Sequence, residues 1–386
     1  MAGRKDPTDL SYWTSAFGRL PLTSRTRITE GNDLRLLVDS GEFYPKILEV
    51  IRSAERTLSF EFLNMEADEG GLPIGEALIE AAERGVAVKA ILDAVSQTFE
   101  TNGEITVWPA SLNFSRAKRQ GIRRERQETR AMFRRMRGAG IELKIVGPNL
   151  KNRFTRNHRK SLIADQSRMV IGGFNPTGHN KAWHEVCALM LGPAVREAQE
   201  IFNSLYRETG SRGFELAPEQ ASTRVPMDGQ GVTIGFALNE PRRRESIRTF
   251  LVEAVGMARH TVRIENAYFT DPRSFQALEE AARRGVKVQL IVPGASNHAS
   301  VDRKRDARLP RLKEAGAEVY LYRGMTHAKL FMIDDVMVSL GSANFTPMNL
   351  RMERELNLAV LDPEGGFPGE VLERVFLRDI AASDRL

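Results

Sequence analysis

Two short patterns in this 386-residue sequence carry groups that can do chemistry at neutral pH. His158, Lys160 and Asp165 form His-x-Lys-x4-Asp, and His327, Lys329 and Asp334 form it again. Six His, twelve Lys and sixteen Asp would give on the order of 0.01 such matches by chance. On a strand, residues two apart share a face, so each histidine is expected to project beside its lysine. An imidazole next to a fixed positive charge suits a phosphate: the lysine holds the anion while the histidine attacks or moves a proton. Asp165 and Asp334 fall at odd offsets beyond the apolar run. They are counted with the motifs, but as turn residues with a structural role.

Each motif is followed by small residues, Gly172-Gly173-Phe174-Asn175 and Gly341-Ser342-Ala343-Asn344. Glycines let backbone approach a ligand, so Gly172, Gly173, Gly341 and Ser342 are expected to bind substrate. Asn175 and Asn344 can donate to phosphate oxygens. Glu185 follows His158 by 27 residues and Glu355 follows His327 by 28. A carboxylate on the far ring nitrogen would fix each tautomer, which makes these two the candidate orienting acids. The other four histidines, His179, His184, His260 and His298, are expected to be structural.

The elements that must hold these groups come as a duplication. Segment 56–68 pairs with 260–272, 74–96 with 275–296, 134–147 with 310–324, and 158–175 with 327–344. Each half reads helix, strand, helix, strand, helix, strand, strand. Gly85 and Gly285 stand at the left-handed position past a helix end. Alternating helices and apolar strands predict an α/β fold of two tandem domains, each a mixed sheet between helical layers, related by a pseudo-twofold axis. The expected boundaries are a tail over 1–29, a first domain over 30–212, a linker over 213–231 and a second domain over 232–386.

Composition excludes other classes. Hydrophobic residues make up 41% and charged residues 27%, too apolar for a disordered chain. No stretch approaches 18 apolar residues, and the first residues lack the apolar core of a signal peptide. The single cysteine, Cys187, rules out a disulfide framework or a cysteine-based zinc cluster and reads as a small buried hydrophobe.

The paired motifs, with NAYF (266–269), EAARRGVKVQLIVPG (280–294), RNHRKSLIAD, GGFN, GSANF and ERELNLAVLD, resemble the phospholipase D superfamily and, within it, the bacterial cardiolipin synthases. The resemblance spans roughly residues 30–363. It implies exchange at phosphorus through a covalent phosphohistidine, with one shared site at the interface of the halves. It also implies His158 as nucleophile, His327 as acid and base, and neither cofactor nor metal. The implied reaction joins two phosphatidylglycerol molecules into cardiolipin. Hydrolysis to phosphatidic acid is the alternative, and a nuclease reading is less favoured. Where the family often carries Trp-Arg-Asp, this chain has Trp183-His184-Glu185.

Charge points to the partner. The net charge is +6, with a pI near 9.5. Residues 116–137 hold ten basic and two acidic residues, while the rest of the chain carries 46 basic and 48 acidic. Arg123, Arg126, Arg130, Arg134 and Arg137 recur at helical spacing as one cationic face. This face fits either a solvated helix or one drawn to an anionic phospholipid surface, and the expected location is the cytoplasmic face of a membrane, peripherally bound. Nucleic acid is the disfavoured partner, and the oligomeric state is left open. Trp13, Phe17 and Leu20 fit either a membrane interface or the surface of a domain.

Overall fold

A computed structural model describes residues 7–101, 104–105, 114–147, 155–218, 231–240, 246–362 and 364–386. Fourteen strands repeat seven by seven. The first half contributes β1 (Thr29–Val38), β2 (Thr57–Phe62), β3 (Ala87–Asp93), β4 (Glu142–Val146), β5 (Ser161–Ala164), β6 (Arg168–Gly172) and β7 (Val186–Leu191). The second contributes β8 (Val232–Asn239), β9 (Thr261–Asn266), β10 (Lys287–Pro293), β11 (Glu318–Tyr322), β12 (Lys329–Ile333), β13 (Met337–Gly341) and β14 (Glu353–Leu361). With two short strands, Ser383–Arg385 beside β11 and Arg156–Asn157 beside β14, they join one 16-stranded sheet in which the fourteen run β11-β10-β9-β12-β13-β14-β8-β1-β7-β6-β5-β2-β3-β4, a palindrome about the β8–β1 pair. The two halves meet there antiparallel, through Thr29 opposite Ile234 and Asn32 opposite Val232.

The central strands are buried on both faces, which explains their near-continuous apolar runs. Helices α1 (Pro7–Phe17), α2 (Asp39–Arg52), α3 (Gly71–Glu83), α4 (Arg116–Gly138), α5 (Ala194–Glu208), α6 (Ser246–Met257) and α7 (Pro272–Arg283) cover the sheet. One core lies between the first half's sheet and α2, α3 and α4. A second lies between the other half's sheet and α1, α6 and α7. The third is shared: residues of both half-sheets pack together with α5. Gly85 and Gly285 adopt φ of 93° and 87°, so the helices preceding β3 and β10 stop where a side chain would be strained.

The residues before 30 are not a free tail. Trp13, Phe17 and Leu20 are buried in the second half's core, although α1 precedes the first half in the chain. The Trp13 indole donates to Asp334 Oδ2 at 3.0 Å. Packing on the second half therefore accounts for these apolar residues, and the membrane-interface alternative for them falls away. The near part of the expected linker lies along the first half: Ala217 N donates to Gln166 Oε1 at 2.8 Å. The remainder, 219–230, lies outside the described residues. Among the described residues, no helix is long and apolar enough to cross a membrane.

Candidate active site

The two His-x-Lys segments enter the sheet in the same way, each tied to the opposite half. Arg156–Asn157 pairs in parallel with Glu353–Arg354 at the start of β14, and Thr326 bridges to His184 ahead of β7. His158 N then donates to Arg354 O at 2.9 Å, and His327 N donates to His184 O at 2.7 Å. His158 and Lys160 sit just ahead of β5 rather than on it, whereas Lys329 opens β12. Both histidines, with Asn175 and Asn344, line one cleft of about 990 Å3.

The carboxylates are exchanged between halves. His158 Nδ1 lies 2.9 and 3.0 Å from the two oxygens of Glu355. His327 Nδ1 lies 2.5 Å from Glu185 Oε2. Each acid therefore orients the histidine of the other repeat and not its own. With Nδ1–H donating to a buried carboxylate, Nε2 keeps its lone pair for the substrate.

The glycine segments serve these acids. A Cβ on Gly173 would meet the Glu185 carboxylate at 2.3–2.4 Å, so glycine makes room for that group. Ser342, at the equivalent position, donates its hydroxyl to Glu355 Oε2 at 2.5 Å. A Cβ on Gly172 would collide with Cys187, and one on Gly341 with the backbone of Leu356 and Asn357. The side-chain positions of these four thus face the orienting acids and the adjacent strands, and none of the four is among the residues lining the cleft. Asn175 and Asn344 line the cleft, and their buried Oδ1 atoms have no hydrogen-bond partner, which leaves both amides open to a ligand.

Asp165 and Asp334 close the far ends of β5 and β12. Four strand residues separate Asp165 from Lys160, a span of about 17 Å. Asp165 accepts from the backbone N–H groups of Glu55, Arg56 and Thr57 at 2.7–3.3 Å. Asp334 accepts from Arg259, His260 and Thr261 at 2.8–2.9 Å. Both have positive φ, 52° and 50°. Aspartate tolerates that region better than most residues and carries acceptors for a strand's open N–H groups. These two motif members lie away from the cleft and act on the fold.

Burial governs the charge states. It pushes His158 well below the usual histidine range, with the Lys160 ammonium adding to the effect. It lowers His327 to about 3, aided by Lys329 and opposed by Glu185. The lowering favours the neutral form of both imidazoles, and an arriving phosphate anion shifts them back toward protonation. Burial also lowers Lys160 to about 7, against the pull of Glu355. The two acids differ. Burial raises Glu355 to about 7, with Lys160 opposing. Burial works against ionised Glu185 as well, but Lys329 and His327 hold it below the normal carboxylate range. Lys329 Nζ is 3.3 Å from Glu185 Oε2 and 2.9 Å from His327 Nδ1, while Lys160 Nζ donates to the His158 carbonyl at 2.7 Å. The pseudo-twofold is thus broken electrostatically. A charged carboxylate stands behind His327, and a readily protonated one behind His158.

A sequence profile described as "Cardiolipin synthase, PLD-like domain" matches residues 47–206 and 251–374. The chain belongs to the cardiolipin synthase family. Cardiolipin synthase B of Salmonella typhi is 30% identical over 356 residues, covering 86% of this chain and 77% of that protein. Probable cardiolipin synthase YwiE of Bacillus subtilis is 26% identical over 374 residues, covering 93% and 68%. Among solved structures, phosphatidylserine synthase of Haemophilus influenzae superposes with a TM-score of 0.68 at 14% identity, over 97% of this chain and 91% of that one. The last likeness is one of fold. The two-domain phospholipase D-like architecture and the phosphatidyltransferase class follow from these relationships.

Behind the cleft of this cardiolipin synthase relative lies a buried charge network that sequence reading missed. His184 Nδ1 is 2.7 Å from Asp39 Oδ1, and its Nε2 is 2.9 Å from Asp379 and 3.7 Å from Glu265. Burial opposes the imidazolium, but Asp379 and Asp39 raise its pKa to about 11. Glu265 is pushed up to about 8 by burial, with His184 opposing. The pseudo-twofold maps His184 onto Arg354, Asp39 onto Asn239 and Glu265 onto Glu61. There Arg159 contacts Glu240 and Glu61, and Arg354 donates to Glu208 at 2.6 Å. His184 therefore stands in for an arginine under His327. The signal lay in its alignment with Arg354 in the duplicated segment.

Other cleft residues also escaped the motif search. The Trp183 ring lies 5.1 Å and the Tyr268 ring 6.1 Å from the His327 ring, and His179 and His298 line the wall. Only His184 and His260 of the remaining histidines lie away from the cleft lining. Among the described residues, His158–Glu353–Glu355, His184–Glu265–Asp379 and Glu66–Asp68–Glu125 bring metal-ligand atoms within 4.8 Å of one another. In the first two, the facing cations Lys160 and Arg378 already offset the acids.

Proposed function

We propose that the protein transfers a phosphatidyl group from one phosphatidylglycerol to the hydroxyl of another, forming cardiolipin and releasing glycerol. The observation that carries this reading is the pair of cross-oriented histidines opening on one cleft in a chain of the cardiolipin synthase family. His158 Nε2 attacks phosphorus while Lys160, Lys329, Asn175 and Asn344 hold the non-bridging oxygens. His327 protonates the departing glycerol oxygen, supported by ionised Glu185. The same histidine then takes the proton of the acceptor hydroxyl as that oxygen displaces His158. The electrostatic asymmetry supports this assignment, because a fully charged Glu185 stabilises an imidazolium better than a half-protonated Glu355.

The lysines supply positive charge at the phosphoryl oxygens, the stabilisation that carries most of a phosphoryl-transfer barrier. The protein acts from the membrane surface. Helix α4 supports this: it buries only Thr129, Met132, Phe133 and Met136, all toward its C-terminal half. Arg123, Arg130, Arg134 and Arg137 are exposed. Thr129 accepts from Ala67 N at 3.0 Å, and the adjacent Glu66 lies 3.7 Å from His179 on the cleft wall, so this cationic helix flanks the site.

The reading is tested by incubating the protein with phosphatidylglycerol vesicles in EDTA and separating the lipids. Cardiolipin with equimolar glycerol is expected. Phosphatidic acid without cardiolipin would replace the transferase by a hydrolase, and untouched lipid beside cleaved single-stranded DNA would overturn both.

A further inference from the structure

The cleft extends past the histidines along a wall formed by the second half. There the helix Ala299–Asp306 and the turn after it contribute Ser300, Val301, Lys304 and Arg308 to the lining. Neighbouring cations are consumed by the fold. Arg305 donates to Pro293 O at 2.7 Å and pairs with Asp302 and Asp306. Arg311 pairs with Glu279 at 2.7 Å. Lys304 and Arg308, the two that face the cleft, have no carboxylate partner among the described residues. The Arg308 guanidinium sits 5.9 Å from the Phe275 ring centre, a contact that leaves its N–H edges available. Among the described residues, the first half offers nothing comparable: its cleft-lining cation, Arg156, is held near Asp93 and Glu353 and donates to Ser96.

We infer that Lys304 and Arg308 form a second anion subsite that holds the phosphate of the acceptor. The inference rests on the phosphatidyltransferase reading and deepens it. A phosphatidyl-enzyme presents an anionic centre at His158. Water or glycerol approaches such a centre without an electrostatic cost, but an alcohol carried on a phosphate does not. Two unpaired cations on the wall of the same cleft offset that repulsion. They favour a phosphate-bearing alcohol over a neutral one. In the transfer step, the acceptor hydroxyl oxygen forms the new bond to phosphorus, the His158 Nε2–P bond breaks, and the hydroxyl proton passes to His327. Lys304 and Arg308 are specificity-determining residues that take no part in that proton transfer. The shared ligand chemistry is an alcohol bearing a phosphate, whether on a lipid headgroup or on a free polyol phosphate.

The test is a partition experiment. Micelles of phosphatidyl-p-nitrophenol, a donor with no acceptor hydroxyl, are offered ethanol, whose product phosphatidylethanol differs from every reactant, together with either glycerol 3-phosphate or phosphatidylglycerol. The product ratio of phosphate-bearing to neutral acceptor is then measured for the wild type and for K304Q/R308Q. Because both products come from one phosphatidyl-enzyme, the ratio is independent of how much variant folds or how fast it cleaves donor. Loss of two charge-assisted contacts should lower it by about 10-fold or more. A fall with phosphatidylglycerol alone assigns the subsite to a lipid headgroup, and a fall with both assigns it to phosphate of either source. An unchanged ratio for both acceptors overturns the inference while leaving the transferase reading intact. If the wild type transfers to no acceptor, the transferase reading fails. The subsite is then decided by calorimetric titration with glycerol 3-phosphate: binding at least about 10-fold weaker in the variant supports it, and equal binding refutes it.

Discussion

Replacing Glu185 by Gln removes the charge behind His327 while preserving the shape of the side chain. The carboxylate lies 2.5 Å from His327 Nδ1 and is itself buried. At an effective dielectric of 20, opposite charges at that separation attract by about 7 kcal/mol, an upper bound for the imidazolium formed in the transition state. Lys329, 3.3 Å from the same oxygen, competes for it. A hydrogen bond to a charged group is worth about 1.5–3 kcal/mol in folded proteins. A loss of about 3–5 kcal/mol is therefore expected, or about 100- to 10,000-fold in the rate of transfer from phosphatidylglycerol. The discriminating assay is a pre-steady-state burst with phosphatidyl-p-nitrophenol, whose leaving group departs without a proton. If His327 is the acid, the E185Q defect in the burst should shrink at least tenfold relative to native lipid. E355Q, which acts behind His158, should slow the first step with both substrates alike. The reasoning is refuted if E185Q costs less than threefold on phosphatidylglycerol, or if its burst defect equals its defect on native lipid.

Three further outcomes follow from the same geometry. Lys160 is lowered to about 7, so kcat/KM should fall as pH rises through that value in the free enzyme, and K160R should move this limb upward; a flat profile between pH 6 and 9 contradicts the depressed pKa. The raised values at His184 and Glu265 mean that the folded state binds extra protons. His184's stabilisation is complete below its ordinary pKa of 6.5 and is lost as pH rises to about 11, and that of Glu265 is lost between 4.5 and about 8. H184A should therefore cost about 3–5 kcal/mol in chemical denaturation at pH 6, as for a broken buried ion pair, whereas H184R should retain most stability and flatten its decline toward pH 10; equal loss in both variants refutes the arginine-substitute account. Replacing Arg123, Arg130, Arg134 and Arg137 by Gln removes about 1 kcal/mol of surface attraction each. Sedimentation with phosphatidylglycerol vesicles should then show binding roughly 100-fold weaker or more, with less than threefold change in turnover of a soluble phosphodiester; unchanged sedimentation refutes the docking role of α4.

Much of this was legible from spacing. The repeat is local in sequence, so helix, glycine and strand recur visibly, but that pattern gives four strands in each half, and the strands that join the halves, β1 and β8 with their neighbours β7 and β14, are not among them. The motif histidines and asparagines converge on one cleft as their types suggested. What spacing could not show was which repeat each acid serves. Glu185 lies nearer in sequence to His158, yet the parallel bridge of His184 to Thr326 carries it to His327. The glycine segments are ambiguous for a related reason: a glycine admits close approach by any group, and here the groups beside it include a carboxylate and a neighbouring strand. Helix α1 shows the same limit, because Trp13 meets Asp334 across 321 residues and no local pattern encodes that contact.

The central claim is a single site built by both halves, with His158 carrying the phosphatidyl group and His327 needed to release it. The most direct measurement is mass spectrometry of the H327A variant after brief exposure to phosphatidyl-p-nitrophenol. The first step needs no acid with that donor, and the second lacks its base. The account predicts a phosphatidyl adduct accumulating on His158 and absent from H158A/H327A. An adduct on any other residue, or turnover by H327A at the wild-type rate with no adduct, would contradict it.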